Sequence, residues 1–194
     1  MCDIKGNRIK IKSLEVKDVY EMLNWGKHQE PLFKDYNFPE LSDEEIVKWY
    51  NYRTQQRNTK CFSVIDGQDR MIGYINIRNI RRIWKSARLG IVFDPDILNK
   101  GYGTEAIKLL LDYFFNIMKM KTMYLDVAKF NKRAIKCYEK CGFKTIREYK
   151  AKHINLKNEL YDDKIYLLYE DYFSIKNNTV YCDYFEMKAQ KYTN

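Results

Sequence analysis

Two glycines one residue apart, Gly101 and Gly103 in the stretch NKGYGTEA (99–106), stand immediately ahead of a long apolar run. A G-x-G turn that opens a helix presents consecutive backbone N–H groups to an anion. Glycine lets an oxyanion approach the main chain, and the helix N-terminus adds roughly half a positive charge. The chemistry such a turn supports is the holding of a phosphate. Two common phosphate loops are excluded. No G-K-[ST] follows, so this is not a Walker loop, and Ala106 or Ile107 stands where the third glycine of the dinucleotide fingerprint belongs. A lone G-x-G also marks ordinary tight turns.

A second set of spaced residues lies about 30 positions downstream: Asn131, Ala134, Tyr138, Gly142 and Phe143. Taken singly, Asn131 is a helix cap, and Tyr138, one of 17 tyrosines, is a core residue with a satisfied hydroxyl. The two histidines, His28 and His153, have no Ser or Cys partner motif, which leaves hydrolase-type nucleophilic catalysis unsupported. Cys137 and Cys141 share a helix face, but none of the five cysteines forms a C-x-x-C pair. No metal site and no disulfide framework are expected.

The elements that must position these residues can be placed from period and punctuation. Residues 8–16 (RIKIKSLEV) read as an opening strand and VKDVYEMLNWGKH as a helix; Ser42, with Glu45 three residues on, caps a second helix to about Asn58. Two strands follow around the D-G turn at Gly67, and a third, SARLGIVFD, is ended by Pro95. From Thr104 to about Lys119 the polar positions Lys108, Asp112 and Asn116 recur every fourth residue, the mark of a helix buried on most sides. Then come the strand TMYLDVAKF, a helix capped by Asn131 and stopped by Gly142, the strand KTIREY and a last strand, DKIYLLYEDYF. Residues 174–194 are Tyr-rich and have no clean period; an edge strand, a dimer contact and a loose extension are all open for them.

With these elements around them, the two motifs resemble those of the GNAT superfamily of acetyl-CoA-dependent N-acetyltransferases. The cofactor loop of that family, [QR]-x-x-G-x-[GA], is matched by Leu98-Asn99-Lys100-Gly101-Tyr102-Gly103, and N-x-x-A-x-x-x-Y-x-x-x-G-F is present in full. The resemblance covers residues 8–173 and is nearest the branch of ribosomal-protein N-terminal and spermidine acetyltransferases. It implies an α/β fold, a single GNAT-type domain over 1–173. Its twisted, mixed but mostly antiparallel sheet of about seven strands would be split at the cofactor and have helices on both sides, with 174–194 as an extension.

The resemblance further implies that acetyl-CoA binds over Leu98 to Thr104 and along Ile91, Val92 and Phe93, where a main-chain N–H faces the thioester. Asn131 would bond the pantetheine arm and Tyr138 would donate a proton to the departing thiolate, a transfer its phenol is chemically suited to make. The loop's usual Gln or Arg is here Leu98, so its contribution falls to backbone or to Asn99 and Lys100. Where many relatives carry a glutamate as base, this strand carries Arg88; a water relay, or an acid from the acceptor-side loop such as Glu30, Asp35 or Glu40, is open as the base.

The expected reaction is acetyl transfer to a primary amine: a protein N-terminus, a polyamine or an amino sugar. The alternative is a non-enzymatic module of the same fold that binds RNA, a ribosome or a regulatory protein. With 35 basic against 26 acidic residues the chain carries +9, which suits a phosphate-bearing ligand and argues against a free polycation unless its pocket is acidic. The basic residues are spread along the chain, so nucleic acid is not the expected partner. No run approaches the ~20 apolar residues of a membrane span, and MCDIKGNRIK lacks the apolar centre of a signal peptide; a cytoplasmic protein with no membrane partner is expected.

Overall fold

The computed structural model describes residues 3–152, 169–177 and 179–191. A short hairpin, β1 (Asp3–Lys5) and β2 (Ile9–Ser13), leads into α1 (Val16–Glu21) and α2 (Asp43–Thr54). The Ser42–Glu45 capping box forms as the sequence predicts: the Glu45 N–H donates to Ser42 Oγ at 3.4 Å, and the Ser42 N–H donates back to Glu45 Oε2 at 2.8 Å. The meander β3 (Lys60–Asp66), β4 (Met71–Arg81) and β5 (Ser86–Phe93) follows. In the first of its turns the left-handed residue is Asp69, at φ 60°, rather than Gly67. Asp66 makes this possible by accepting the N–H groups of Gln68 and Arg70.

The chain continues through α3 (Tyr102–Asp112), β6 (Thr122–Ala128), α4 (Lys132–Lys140), β7 (Lys144–Lys152), β8 (Phe173–Lys176) and β9 (Thr179–Gln190). The nine strands of the described residues, two more than expected, make one sheet in the order β1-β2-β3-β4-β5-β6-β9-β7, with β8 paired to β9 beyond the end of β6. Every pairing is antiparallel except β5 with β6.

Helices cover both faces because the interior strands are apolar on both. In β3 and β4, Phe62, Val64, Ile75 and Ile77 face the cluster under α3, whereas Cys61, Ile65 and Tyr74 face the cluster under α1 and α2. Burial of strands on both faces is what makes them near-continuous hydrophobic runs.

The last part of the chain departs from the expectation. Residues 174–194, set outside the domain by their sequence, supply the longest strand, β9, which lies between β6 and β7. Its period is hidden because its two halves bury opposite faces. Val180 and Cys182 pack with Phe130 and Phe173, while Met187 and Ala189 join the cluster under α3. Of the strand expected over 163–173, residues 163–168 lie outside the described residues, 169–172 form a turn, and only Phe173 is in a strand.

Candidate functional site

β5 pairs with β4 from Gly73↔Phe93 to Arg81↔Ser86, but with β6 only at Ser86↔Thr122, Ala87↔Met123 and Arg88↔Tyr124. Beyond Arg88 the two strands part, and β6 goes on paired to β9 alone. One edge of Leu89–Phe93 is thus left without a neighbouring strand among the described residues, and alternate N–H and C=O groups along it face a cleft. Arg88 stands at the fork. Its guanidinium donates to Asp126 Oδ2 on β6 at 2.5 Å and to Glu186 on β9, and the Tyr149 hydroxyl donates to Asp126 Oδ1 at 2.8 Å. Those bonds explain why arginine occupies the place where a catalytic carboxylate is expected: it neutralises two carboxylates paired across β6 and β9.

The glycine loop closes one end of the cleft. Asp94 turns the chain out of β5 by accepting the N–H groups of Gly26 and Asp96, both at 3.0 Å, and Pro95–Ile97 forms a 3₁₀ turn. Asn99 and Gly101 take left-handed conformations, φ 64° and 82°. The first intrahelical bond of α3 runs from the Glu105 N–H to the Gly101 carbonyl at 3.2 Å, so the N–H groups of Tyr102, Gly103 and Thr104 precede the ladder. Arg8 clamps the loop from the β1–β2 turn, donating to the Lys100 carbonyl and to Glu105.

The two glycines answer different needs. Gly101 is required by its backbone conformation. At Gly103 a Cβ would meet only Phe93 at 3.5 Å and Cys137 Sγ at 3.6 Å, ordinary contacts, so the chain's own packing does not demand glycine there. The bare position faces the cleft.

A cavity of about 740 Å³ occupies the fork. Of the residues the sequence singles out, Ile91, Val92, Phe93, Leu98, Asn99, Gly101, Tyr102, Gly103, Thr104, Asn131 and Tyr138 all line it. Lys100 does not; its Nζ turns to the Asp96 carbonyl at 3.2 Å. Glu30, Asp35 and Glu40 are not in its wall, and Glu30 accepts the Tyr169 hydroxyl. His153 lies outside the described residues. Asn131 caps α4, its Oδ1 accepting the Ala134 N–H at 3.1 Å, and that helix carries Tyr138 to the cavity.

The wall also holds residues that carry no sequence signal. His28 and Tyr36 enter from the segment between α1 and α2, and Asp126 from β6; only the tertiary fold brings them here. Arg78, Lys132, Arg133, Lys136 and Lys140 make the wall cationic, with Asp126 its single acid among the described residues. Burial pushes the Tyr138 phenol above its ordinary range, and the nearby Tyr36 and Cys137 add to the effect, so it stays protonated at neutral pH. Burial and Arg133 pull His28 down, which keeps its imidazole neutral at pH 7. Cys137 is lowered by a hydrogen bond from Cys141 and by Thr104, whose Oγ1 lies 3.3 Å from its sulfur. Among the described residues no group of three or more His, Cys, Asp or Glu could hold a metal, and no helix is long and apolar enough to cross a membrane.

A strand edge without a partner, a helix N-terminus and a cationic wall together fit a long ligand that carries both amide and phosphate groups, as acetyl-CoA does. Comparison with known proteins agrees. The family profile described as Acetyltransferase (GNAT) domain matches residues 8–144. A spermidine N(1)-acetyltransferase of Vibrio cholerae is 29% identical over 71% of this chain and 79% of its own length. The acetyltransferase PseH of Campylobacter jejuni is 31% identical over 58% of this chain and 74% of its own. In fold, the chain is similar to the Vibrio cholerae spermidine N-acetyltransferase solved in complex with CoA and spermine, with TM-score 0.69, 24% identity and coverage of 95% and 96%. The chain belongs to the GNAT family and is an acetyl-CoA-dependent N-acetyltransferase.

Proposed function

We propose that this enzyme acetylates a polyamine, with the cofactor seated in the β5–β6 fork. The observation that carries the seat is the unpaired edge of Leu89–Phe93 running directly to the glycine loop. Acetyl-CoA supplies an activated acyl group. The residues of the chain do the rest: N–H groups of Tyr102, Gly103 and Thr104 hold the pyrophosphate, with Lys136 and Lys140 adding positive potential. An N–H near Ile91 or Val92 receives the carbonyl oxygen as it gains charge, and Asn131 bonds the pantetheine arm while it caps α4. Leu98 and Asn99 shape the turn, and Phe93 walls the fork. Tyr138, protonated through the neutral range, donates its proton to the leaving thiolate.

The amine must attack in its neutral form. The cationic wall around Arg78 and Arg133 favours that form by making a second positive charge costly. Asp126 is occupied by Arg88 and Tyr149, and neutral His28 is a lining group able to take the amine's proton. The polyamine assignment is supported by the 29%-identical spermidine acetyltransferase. The test is CoA release in the presence of acetyl-CoA and, separately, spermidine, a peptide with a free N-terminus and a nucleotide-linked amino sugar. Spermidine is expected to turn over with the highest kcat/KM; turnover confined to either of the others would replace the polyamine as acceptor.

A further inference from the structure

The end of the sheet opposite the glycine loop has no part in the fork. There the β4–β5 hairpin projects a tip, residues 82–85, in which Ile83 is 92% and Trp84 77% exposed. An indole and a branched alkyl group side by side in water at the point of a hairpin have no folding role. Cations ring them. Arg81, Arg82 and Lys85 belong to the tip itself and are exposed. Lys119 and Lys121 lie beside it, since the Lys121 N–H donates to the Lys85 carbonyl at 2.7 Å, and Arg57 flanks the other side next to Asn58, whose carbonyl accepts the Ile80 N–H at 3.0 Å.

None of these six cations is ion-paired to a carboxylate among the described residues. The sequence shows why: the segments that build this end, 46–65, 70–93 and 113–125, contain no Asp or Glu. Six cations without a carboxylate partner among the described residues thus surround an apolar point.

We propose that the hairpin tip is a docking point for an anionic phospholipid surface, with Trp84 and Ile83 entering the headgroup region and the surrounding Arg and Lys side chains contacting lipid phosphates. Charge complementarity fixes the sign of the partner, and the like charges of two such tips argue against a second copy of this chain. The aliphatic Ile83 favours a lipid over a nucleic acid, because an indole can stack on a base whereas an exposed isoleucine gains only where it leaves water. Tryptophan with adjoining basic residues is the composition that settles at a membrane interface. Among the described residues no helix is long and apolar enough to cross a membrane, and contact at the surface is a different relation from crossing.

The experiment uses the full chain with vesicles of phosphatidylcholine alone and of phosphatidylcholine with phosphatidylglycerol in equal parts, read by co-sedimentation and tryptophan emission. Trp25 is buried and Trp49 half-buried, so a blue shift on binding reports on Trp84. Partition onto the anionic vesicles should exceed that onto neutral ones at least tenfold, because each basic residue near such a surface contributes about fivefold. It should fall with salt, and drop at least tenfold in a Trp84→Ala, Ile83→Ser variant whose acetyl transfer is unchanged. Equal partition onto the two vesicle types, or full binding by the variant, overturns the proposal. So does binding of a single-stranded RNA with no binding to vesicles, which assigns the tip to nucleic acid. A wild-type dimer that the variant dissolves assigns it to self-association.

Discussion

β5 treats its two neighbours differently. Against β4 it pairs over nearly its whole length; against β6 it pairs over three residues and then lets go. The closed junction buries apolar side chains on both faces and is structural. The open one leaves main-chain groups along five residues facing a cavity, a cost that folding alone would not sustain. That difference supports seating the ligand at the open junction, because the backbone bonds missing from the sheet are those an extended amide-bearing molecule can supply.

The largest expected effect falls on the far wall of the open junction. Removing residues 175–194 deletes β9, which is the partner of β6, β7 and β8 at once and holds buried Val180, Cys182, Met187 and Ala189. The truncated chain should lose its cooperative melting transition, the burial of those side chains alone being worth several kcal/mol. A truncated protein that melts like the full chain would show that the wall stands without β9.

Tyr138→Phe probes the chemistry in the cleft rather than its walls. It keeps the ring 5.9 Å from Phe143 and deletes the proton source, so kcat should fall about a hundredfold while KM for acetyl-CoA changes little. Because the phenol is raised above its ordinary value, it stays protonated to higher pH, and the wild-type rate should show no alkaline loss from this group below about pH 10. A folded variant with the wild-type single-turnover rate would remove Tyr138 from the mechanism.

At the fork itself, Arg88→Ala leaves Asp126 and Glu186 facing each other without their shared cation. Partial exposure softens the penalty, and a loss of about 2 kcal/mol in denaturant unfolding is expected. No loss would mean that the fork is held by packing alone. The smallest effect is that of Asn131→Ala, about 1 kcal/mol of stability from the lost α4 cap. A parallel drop in acetyl-CoA affinity would sharpen the comparison by showing that one side chain serves both the helix and the cleft.

Local structure written in contiguous residues was legible in the sequence. The glycine loop, the Asn131–Tyr138 helix, the Ser42 cap and the end of β5 at Pro95 each depend on local backbone preferences, and each stands where its residues place it. What depends on register was not. That Arg88 bridges two carboxylates follows from the pairing of Asp126 with Glu186, residues 60 positions apart. β9 escaped notice because its halves bury opposite faces, which removes the period-two signal on which strand reading rests. His28 and Tyr36 reach the cavity from a segment of 3₁₀ turns whose path no periodicity encodes.

The central claim, that the fork seats the cofactor against the helix end, is tested most directly by calorimetric titration of acetyl-CoA into Gly103→Val. The first added carbon would meet Phe93 and Cys137 at ordinary contact distances, so the variant should keep its melting temperature, while the added side chain takes up room at the cavity wall that Gly103 lines. The account predicts affinity at least tenfold weaker, or about 1.4 kcal/mol. A folded variant that binds acetyl-CoA as tightly as the wild type would contradict it.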